Sequence, residues 1–292
     1  MTIKQALSRG REILAANNVE DTALESELLL RHALEIDRVK LYANLDYEVS
    51  PEQEKIFWRL IKRRLKGEPT AYITGHREFY GIDFYVDPRV LIPRPESELL
   101  VEKTLDVAQN NVLSTMAEIG TGCGAIAISL ALNLPQAIIY ATDISASALE
   151  VALINCQKHG ASNRIRLLQG DMLAPLPQPV DLIIANLPYV RETDLIPKGQ
   201  TNYEPLLALN GGADGLEKIR QLCHEISGKL GPGGRLLIEI GQAQRKAVTA
   251  LLQSLSPSAI IELLPDLSGI ERVLSVTFPA TIVKNHGVFT HA

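Results

Sequence analysis

The chain has 292 residues, of which 46% are hydrophobic and 22% are charged, and its formal net charge is -5. This composition is that of an ordinary globular protein with room for one large domain and a smaller one, and it argues against a disordered chain. An acidic protein lacks the dense basic surface that phosphate contacts need, so we expect no direct nucleic-acid partner.

The sequence does not have the patterns that predict disulfides, metal sites or membrane spans. Its three cysteines, Cys123, Cys156 and Cys223, have no paired spacing, and its six histidines are scattered. No apolar stretch approaches membrane-spanning length, and the first residues are typical of a helix rather than a signal peptide. We therefore expect a cytoplasmic monomer that binds no metal and no membrane.

Residues 1–77 are predicted to form a small helical bundle. Thr2 with Gln5, and Ser50 with Gln53, have the spacing of capping boxes at helix starts. Apolar residues then recur at helical spacing at Phe57, Leu60, Ile61 and Leu65.

Residues 78–95 are predicted to form a β-hairpin linker between two domains. Aromatic and β-branched residues surround Gly81, which suits a turn between two short strands. The linker ends at Pro93-Arg94-Pro95.

Residues 96–279 alternate between apolar strands and helices. This alternation predicts a Rossmann-like α/β domain whose mostly parallel, seven-stranded sheet binds ligands at the carboxyl ends of its strands. Residues 280–292 lack periodicity and are predicted to be a disordered tail. Strands are expected near 115–119, 137–142, 164–169, 180–185 and 235–240, with an antiparallel hairpin at 260–264 and 272–277, and helices near 96–109, 124–134, 146–159, 214–230 and 242–255.

A glycine loop, from Glu118 to Gly124, follows the first of these strands and opens a helix. Its glycines allow a tight turn and a close approach of the backbone to a ligand. The dinucleotide fingerprint is not matched, because the third glycine follows the second by only two residues. Asp143 ends the next strand, where a carboxylate can bind both ribose hydroxyls. Two structural alternatives stay open: Asp143 as a helix cap, and Glu118 as a hydrogen-bonded carboxylate at a strand end.

The motif Asn186-Leu187-Pro188-Tyr189 directly follows the apolar run 180–185. It suggests methyl transfer to a planar nitrogen, either an amide or an adenine. Such a nitrogen is a poor nucleophile, because its lone pair is delocalised, and it needs hydrogen-bond acceptors and a flat surface. Asparagine and tyrosine provide both, although a simple turn is the alternative interpretation.

The glycine loop resembles motif I of the class I methyltransferases that use S-adenosyl-L-methionine as co-substrate. The resemblance implies that Asp143 binds the ribose, that Asp171 lies near the adenine amino group, and that Met172 forms a soft wall beside it. It also implies a set of residues that hold the methionine portion: Glu118, Gly120, Thr121, Gly122, Cys123 and Gly124.

Segments along nearly the whole chain closely resemble the release factor glutamine methyltransferases. This resemblance implies methyl transfer to the side-chain amide nitrogen of the glutamine in the Gly-Gly-Gln loop of peptide chain release factors, the expected protein partners. It also implies that the helical residues 1–77 recognise this protein substrate. A ribosomal protein glutamine is an alternative substrate. The segments are 67–69 with 71–72, 75–81, 90–98, 203–209 with 211–215, 237–241 and 266–273.

The same resemblance gives the acceptor motif its catalytic and substrate-binding roles. Asn186 accepts one N–H of the target and also borders the co-substrate, while the carbonyl of Leu187 accepts the second N–H. Pro188 shapes the loop, and the ring of Tyr189 packs on the target. Arg94 either holds the incoming loop or pairs with Glu96 or Glu98.

Leu187 departs from the commoner Asn-Pro-Pro-Tyr form of this motif. Leucine keeps the carbonyl but frees φ, so we expect a less rigid loop. Asn-Leu-Pro-Tyr also resembles the motif of ribosomal RNA adenine dimethylases. RNA or DNA adenine N6-methylation is therefore the alternative activity.

Overall fold

The computed structural model describes residues 1–195 and 203–280. These residues divide into two compact units, Met1–His76 with Tyr203, and residues 77–195 with 204–280. Apart from residue 280, the predicted tail lies outside the described residues.

The first unit is helical, as the sequence predicts. Both expected capping boxes form: the Thr2 hydroxyl accepts the backbone N–H of Gln5, and the Ser50 hydroxyl accepts that of Gln53. The apolar faces of the helices bury a separate core that includes Leu29, Leu30 and Phe57. The helices are α1 (Ile3–Ala16), α2 (Thr22–Leu34), α3 (Arg38–Ala43), α4 (Pro51–Leu65) and α5 (Thr70–Thr74).

A two-stranded hairpin of β1 (His76–Phe79) and β2 (Ile82–Tyr85) confirms the predicted ribbon. Gly81 in its turn has a φ of 70°, a conformation that favours glycine. A short 3-10 helix, Pro95–Ser97, then precedes the first α-helix of the second unit.

The second unit contains the predicted seven-stranded sheet, in the order β5-β4-β3-β6-β7-β9-β8. Strands β3 to β7 are parallel, and β9 runs antiparallel to both β7 and β8. The strands are β3 (Thr115–Ile119), β4 (Ile138–Asp143), β5 (Ile165–Gln169), β6 (Val180–Ala185), β7 (Leu230–Glu239), β8 (Ile260–Pro265) and β9 (Glu271–Thr277), and the helices are α6 (Glu98–Asn110), α7 (Ala125–Asn133), α8 (Ala146–Lys158), α9 (Glu217–Glu225) and α10 (Arg245–Leu255).

Helix α9 is shorter than the helix predicted over residues 214–230. At its start, the carboxylate of Asp214 accepts the backbone N–H of Leu216 and so forms a turn before the helix. Beyond its end, Gly228 has a φ of 76°, which an α-helix does not permit. Strand β7 consequently begins at Leu230, earlier than the expected residue 235.

The order of the strands reverses direction at β3, and this reversal positions the site. The chain moves from β3 outward through β4 to β5, and then returns to place β6 on the other side of β3. Ile119 at the end of β3 pairs with Thr142 on one side and with Ala185 on the other. The loops that leave these three strands therefore emerge together, where ligands bind in open α/β sheets.

Candidate active site

A cleft at the carboxyl ends of β3, β4 and β6 contains most of the predicted site residues. The second unit supplies the whole of its lining. The predicted residues that line it are Gly120, Gly122, Asp143, Asp171, Met172, Asn186, Leu187 and Pro188. Apolar atoms of Ile119, Leu187 and Met172 alternate there with carboxylate and amide groups, a mixture suited to a nucleoside.

The glycine loop brings its backbone to this cleft. Gly120 and Gly122 have φ values of 73° and 56°, which other residues rarely adopt. A Cβ on Gly120 would lie at an ordinary contact distance, 3.8 Å, from the Asn186 carbonyl oxygen and from a methyl group of Leu187. The glycine loop therefore packs against the acceptor motif.

Other residues of the loop lie beneath it, and the structure does not bring them to the cleft lining. Glu118 is 2% exposed, and its carboxylate accepts the Thr121 hydroxyl at 2.6 Å and the Ala127 N–H at 3.0 Å. Burial raises its pKa to about 8. Cys123 is buried as well, and Gly124 is the N-cap of α7. These positions correspond to the structural alternative, in which Glu118 supports the loop from below.

Asp143 occupies the position expected of a ribose ligand. Its two carboxylate oxygens accept the backbone N–H groups of Gly122 and Ser145, each at 2.9 Å. Burial raises the pKa of Asp143, whereas these hydrogen bonds act in the opposite direction. Each oxygen keeps a further lone pair for a hydroxyl. The helix cap of α8 is the Ser145 hydroxyl, which accepts the Ala148 N–H, so Asp143 remains available to a ligand.

Asp171 and Met172 follow β5 and line another part of the cleft. Asp171 is exposed, and one of its oxygens accepts the side-chain N–H of Gln221 at 2.7 Å. Met172 is 7% exposed and has a φ of 43°. These residues fit the adenine end of a nucleoside, with a soft apolar wall and a hydrogen-bond acceptor.

The acceptor motif is held from behind by residues to which the sequence assigned no role. The Asn186 side chain donates from Nδ2 to Ser97 Oγ at 2.8 Å, and Ser97 Oγ donates to Glu239 Oε2 at 2.6 Å. The Tyr189 hydroxyl donates to the other oxygen of Glu239 at 3.2 Å. The sequence signal that could have indicated Glu239 is a carboxylate at the end of the buried strand β7.

Backbone contacts position the far side of the same loop. Val190 donates its N–H to the Leu209 carbonyl at 3.0 Å, and Gly211 donates to the Val190 carbonyl at 2.8 Å.

The Leu187 side chain is 3% exposed and belongs to the hydrophobic core. Burial of a leucine side chain stabilises the folded state by roughly 1.5–3 kcal/mol. Packing of Leu187 in the core thus anchors the loop, whereas a proline at this position would anchor it by restricting φ. Tyr189 is not part of the cleft lining, since its hydroxyl points to Glu239.

Arg94 forms its ion pair with Glu204, so the expected pairing with Glu96 or Glu98 is wrong. The distance from Arg94 Nη2 to Glu204 Oε2 is 2.6 Å, and Glu204 Oε1 also accepts the Ile92 N–H at 3.1 Å. Glu98 instead accepts the backbone N–H of Tyr80. The buried Glu204 thus fixes the linker, and the structure does not bring Arg94 to the cleft lining.

No helix in the described part of the chain is long and apolar enough to cross a membrane. No group of three or more His, Cys, Asp or Glu side chains in that part has the arrangement of a metal site.

The sheet order, the glycine loop and the acidic end of β4 define a class I methyltransferase, and this class implies S-adenosyl-L-methionine as co-substrate. Residues 95–199 match the family model of the methyltransferase small domain, and residues 5–75 match that of the PrmC N-terminal domain. A methyltransferase from Pyrococcus furiosus has the same fold, with a TM-score of 0.51, 20% identity, and coverage of 74% of this chain and 96% of that one.

Curated relatives that match almost the whole chain identify the family. The release factor glutamine methyltransferase of Moorella thermoacetica is 45% identical over 275 residues, which are 93% of this chain and 97% of that protein. The protein of the same name from Geobacter sulfurreducens is 40% identical, over 86% of this chain and 88% of its own. The chain belongs to the release factor glutamine methyltransferase family.

Proposed function

We propose that this protein transfers the methyl group of S-adenosyl-L-methionine to the side-chain amide nitrogen of the glutamine in the Gly-Gly-Gln loop of peptide chain release factors. The observation that carries this proposal is the position of Asn186, which lines the cleft and is anchored by Ser97. The chain around it is 45% identical to a release factor glutamine methyltransferase over 275 residues.

The chain contributes orientation and hydrogen-bond acceptors. With Nδ2 of Asn186 bonded to Ser97, the Oδ1 atom is left to accept one N–H of the target amide. The Leu187 carbonyl accepts the second N–H. These two bonds turn the nitrogen lone pair towards the methyl group, and such positioning of a weak nucleophile supplies most of the acceleration.

The co-substrate supplies an electrophilic methyl group on a sulfonium sulfur. As the nitrogen–carbon bond forms, the carbon–sulfur bond breaks and leaves a neutral thioether. The nitrogen becomes acidic in the same step and afterwards loses one proton to water. No strong base is needed before the attack, because the N–H groups become acidic only as the bond to the methyl group forms.

The apolar and acidic residues of the cleft fit the co-substrate. Asp143 receives the ribose hydroxyls, and Met172 with Asp171 receives the adenine. The backbone of Gly120 and Gly122, whose positive φ values favour glycine, receives the methionine portion.

We assign recognition of the release factor to the helical unit, Met1–His76. It has its own hydrophobic core and matches the PrmC N-terminal domain, so it is a module separate from the catalytic one. The three buried free cysteines support a reducing, cytoplasmic site of action.

Label transfer tests this function directly. The enzyme is incubated with S-adenosyl-L-methionine labelled in its methyl group and with a release factor, with the same factor carrying alanine for the loop glutamine, or with ribosomal RNA. We expect label only in the unmodified factor. Label in the RNA, or equal label in both forms of the factor, would contradict the proposal.

Asn186→Ala tests the acceptor site. We expect kcat/KM to fall roughly a hundredfold, because one preorganised hydrogen-bonding group is lost at the reacting amide. The Kd of S-adenosylhomocysteine, measured by calorimetry, should change little. A near-normal rate would remove Asn186 from the mechanism.

A further inference from the structure

A continuous hydrogen-bond chain runs from the acceptor loop into the interior of the catalytic unit. It links Asn186 and Tyr189 of the acceptor motif with Ser97 and Glu239, so three separate segments of the sequence contribute to it. Ser97 is 3% exposed and Glu239 is 2% exposed, so water does not compete for these bonds.

The hydrogen-bond chain has a defined direction because the carboxylate of Glu239, at its end, only accepts hydrogen bonds. An ionised carboxylate has no hydrogen to donate, so both hydroxyl groups that meet Glu239 must donate to it. The Ser97 hydroxyl therefore donates its single hydrogen to Glu239 Oε2, with an oxygen–oxygen distance of 2.6 Å. The oxygen of Ser97 can then only accept a further hydrogen bond. Ser97 can then bond only the Nδ2 end of the Asn186 amide, which it does at 2.8 Å.

We propose that Ser97 and Glu239 are positioning residues that fix which end of the Asn186 amide meets the substrate. The inference rests on the proposed function, in which Oδ1 accepts an N–H of the target glutamine. A rotated Asn186 would present its own N–H groups to the target, where they would repel the target's N–H groups.

The contacts of Glu239 oppose the effect of its burial. Burial is the largest influence and leaves the pKa of Glu239 above its ordinary value, whereas the hydrogen bonds from Ser97 and Tyr189 and the charge of Arg272 lower it. Arg272 is itself paired with Asp266 at 2.9 Å. The direction of the hydrogen-bond chain therefore rests on its geometry: each carboxylate oxygen of Glu239 meets one hydroxyl group, and the Ser97 hydroxyl meets the Nδ2 atom of Asn186.

Three variants separate orientation from simple destabilisation. Ser97→Ala removes the anchor, Ser97→Thr keeps a hydroxyl, and Ser129→Ala is the matched control, because Ser129 is fully buried but bonds only a carbonyl within its own helix. We expect Ser97→Ala to lower kcat about tenfold, the effect of one lost hydrogen bond. The KM for the release factor and the Kd of S-adenosylhomocysteine should stay within twofold, and Ser97→Thr should restore most of the rate.

A double-mutant cycle shows whether Ser97 acts through Asn186. In the Asn186→Ala background, Ser97→Ala should change kcat by less than twofold, because the group that it orients is gone. A Ser97 effect of equal size in both backgrounds would overturn the inference. So would equal rates for Ser97→Ala and Ser129→Ala.

Glu239→Gln removes the direction of the chain while keeping its shape. The glutamine amide can donate to Ser97 as readily as it accepts, so Ser97 is free to donate to Oδ1 of Asn186. We expect a loss of kcat at least as large as that of Ser97→Ala. Full activity of Glu239→Gln would refute the assigned direction.

Nuclear magnetic resonance tests the anchor without any methyl acceptor. In protein labelled with 15N at asparagine, the Asn186→Ala variant identifies the Asn186 side-chain signals. We expect these signals to shift, and their hydrogen exchange to accelerate, in Ser97→Ala but not in Ser129→Ala. Unchanged signals in Ser97→Ala would sink the inference. If the signals shift in Ser97→Ala but the wild-type enzyme methylates no release factor, only the proposed function is refuted.

Discussion

Gly211→Ala should displace the acceptor loop by a direct steric effect. A Cβ on Gly211 would lie 2.7 Å from the Tyr189 Cα and 2.8 Å from the carbonyl oxygens of Pro188 and Gly215. All three atoms belong to the backbone, so no side chain can rotate away. Because carbon atoms pack at about 3.5–4.0 Å, the two segments must move apart by roughly 1 Å.

The size of this effect follows from the geometry. Forced overpacking of this kind costs about 1–3 kcal/mol of stability. The larger consequence is kinetic, since a misplacement of about 1 Å at a reacting centre can lower the rate roughly a hundredfold. We therefore expect a 10- to 100-fold loss of kcat, with the cleft around Asp143 left intact.

The assay compares initial methylation rates of a release factor with the Kd of S-adenosylhomocysteine and the thermal midpoint. Gly231→Ala is the matched control, because its nearest neighbour, the Val180 carbonyl oxygen, would lie at an ordinary 3.8 Å. Normal kcat in Gly211→Ala, or an equal loss in Gly231→Ala, would refute the steric reasoning.

Two further substitutions test carboxylates of the glycine-loop region. Asp143→Asn should raise the Kd of S-adenosylhomocysteine roughly tenfold or more, as it loses charge-assisted bonds to the ribose. Asp181→Asn, whose carboxylate also holds two backbone N–H groups but lies at the other end of the sheet, should leave that Kd unchanged. Glu118 has a folded-state pKa of about 8, above its ordinary value of 4.5, so the native state binds its proton more tightly than the unfolded state does. Its contribution to the free energy of unfolding is fully present below pH 4.5 and is lost as the pH rises to about 8, by up to roughly 5 kcal/mol. Denaturant titrations should show a shallower decline over this range in Glu118→Gln, and parallel slopes for the two proteins would contradict the assignment.

Local patterns in the sequence determined the elements and the order in which they occur. The capping boxes at Thr2 and Ser50 act within one helical turn, so the spacing of residues was sufficient to predict them. Alternating strands and helices imposed a parallel sheet, and a parallel sheet placed the Gly120 loop, Asp143 and Asn186 at one edge.

Only the tertiary structure decided how these side chains are supported. Asn186 is held by Ser97, which lies far away in the sequence, and Arg94 pairs with Glu204 rather than with its own neighbours. The motif resemblance implied a ligand role for Glu118, and the structure adds that its buried carboxylate accepts hydrogen bonds from Thr121 and Ala127.

The physical reason is the range of the interactions. Helix caps and strand alternation depend on residues within a few positions, whereas the partner of a buried polar group depends on which strands become neighbours. That choice is made when β6 returns to the free side of β3 and β7 adds beside it, which brings Glu239 behind the acceptor loop. The sequence therefore predicted which side chains meet at this edge of the sheet, and the sheet order decided which residues hold them.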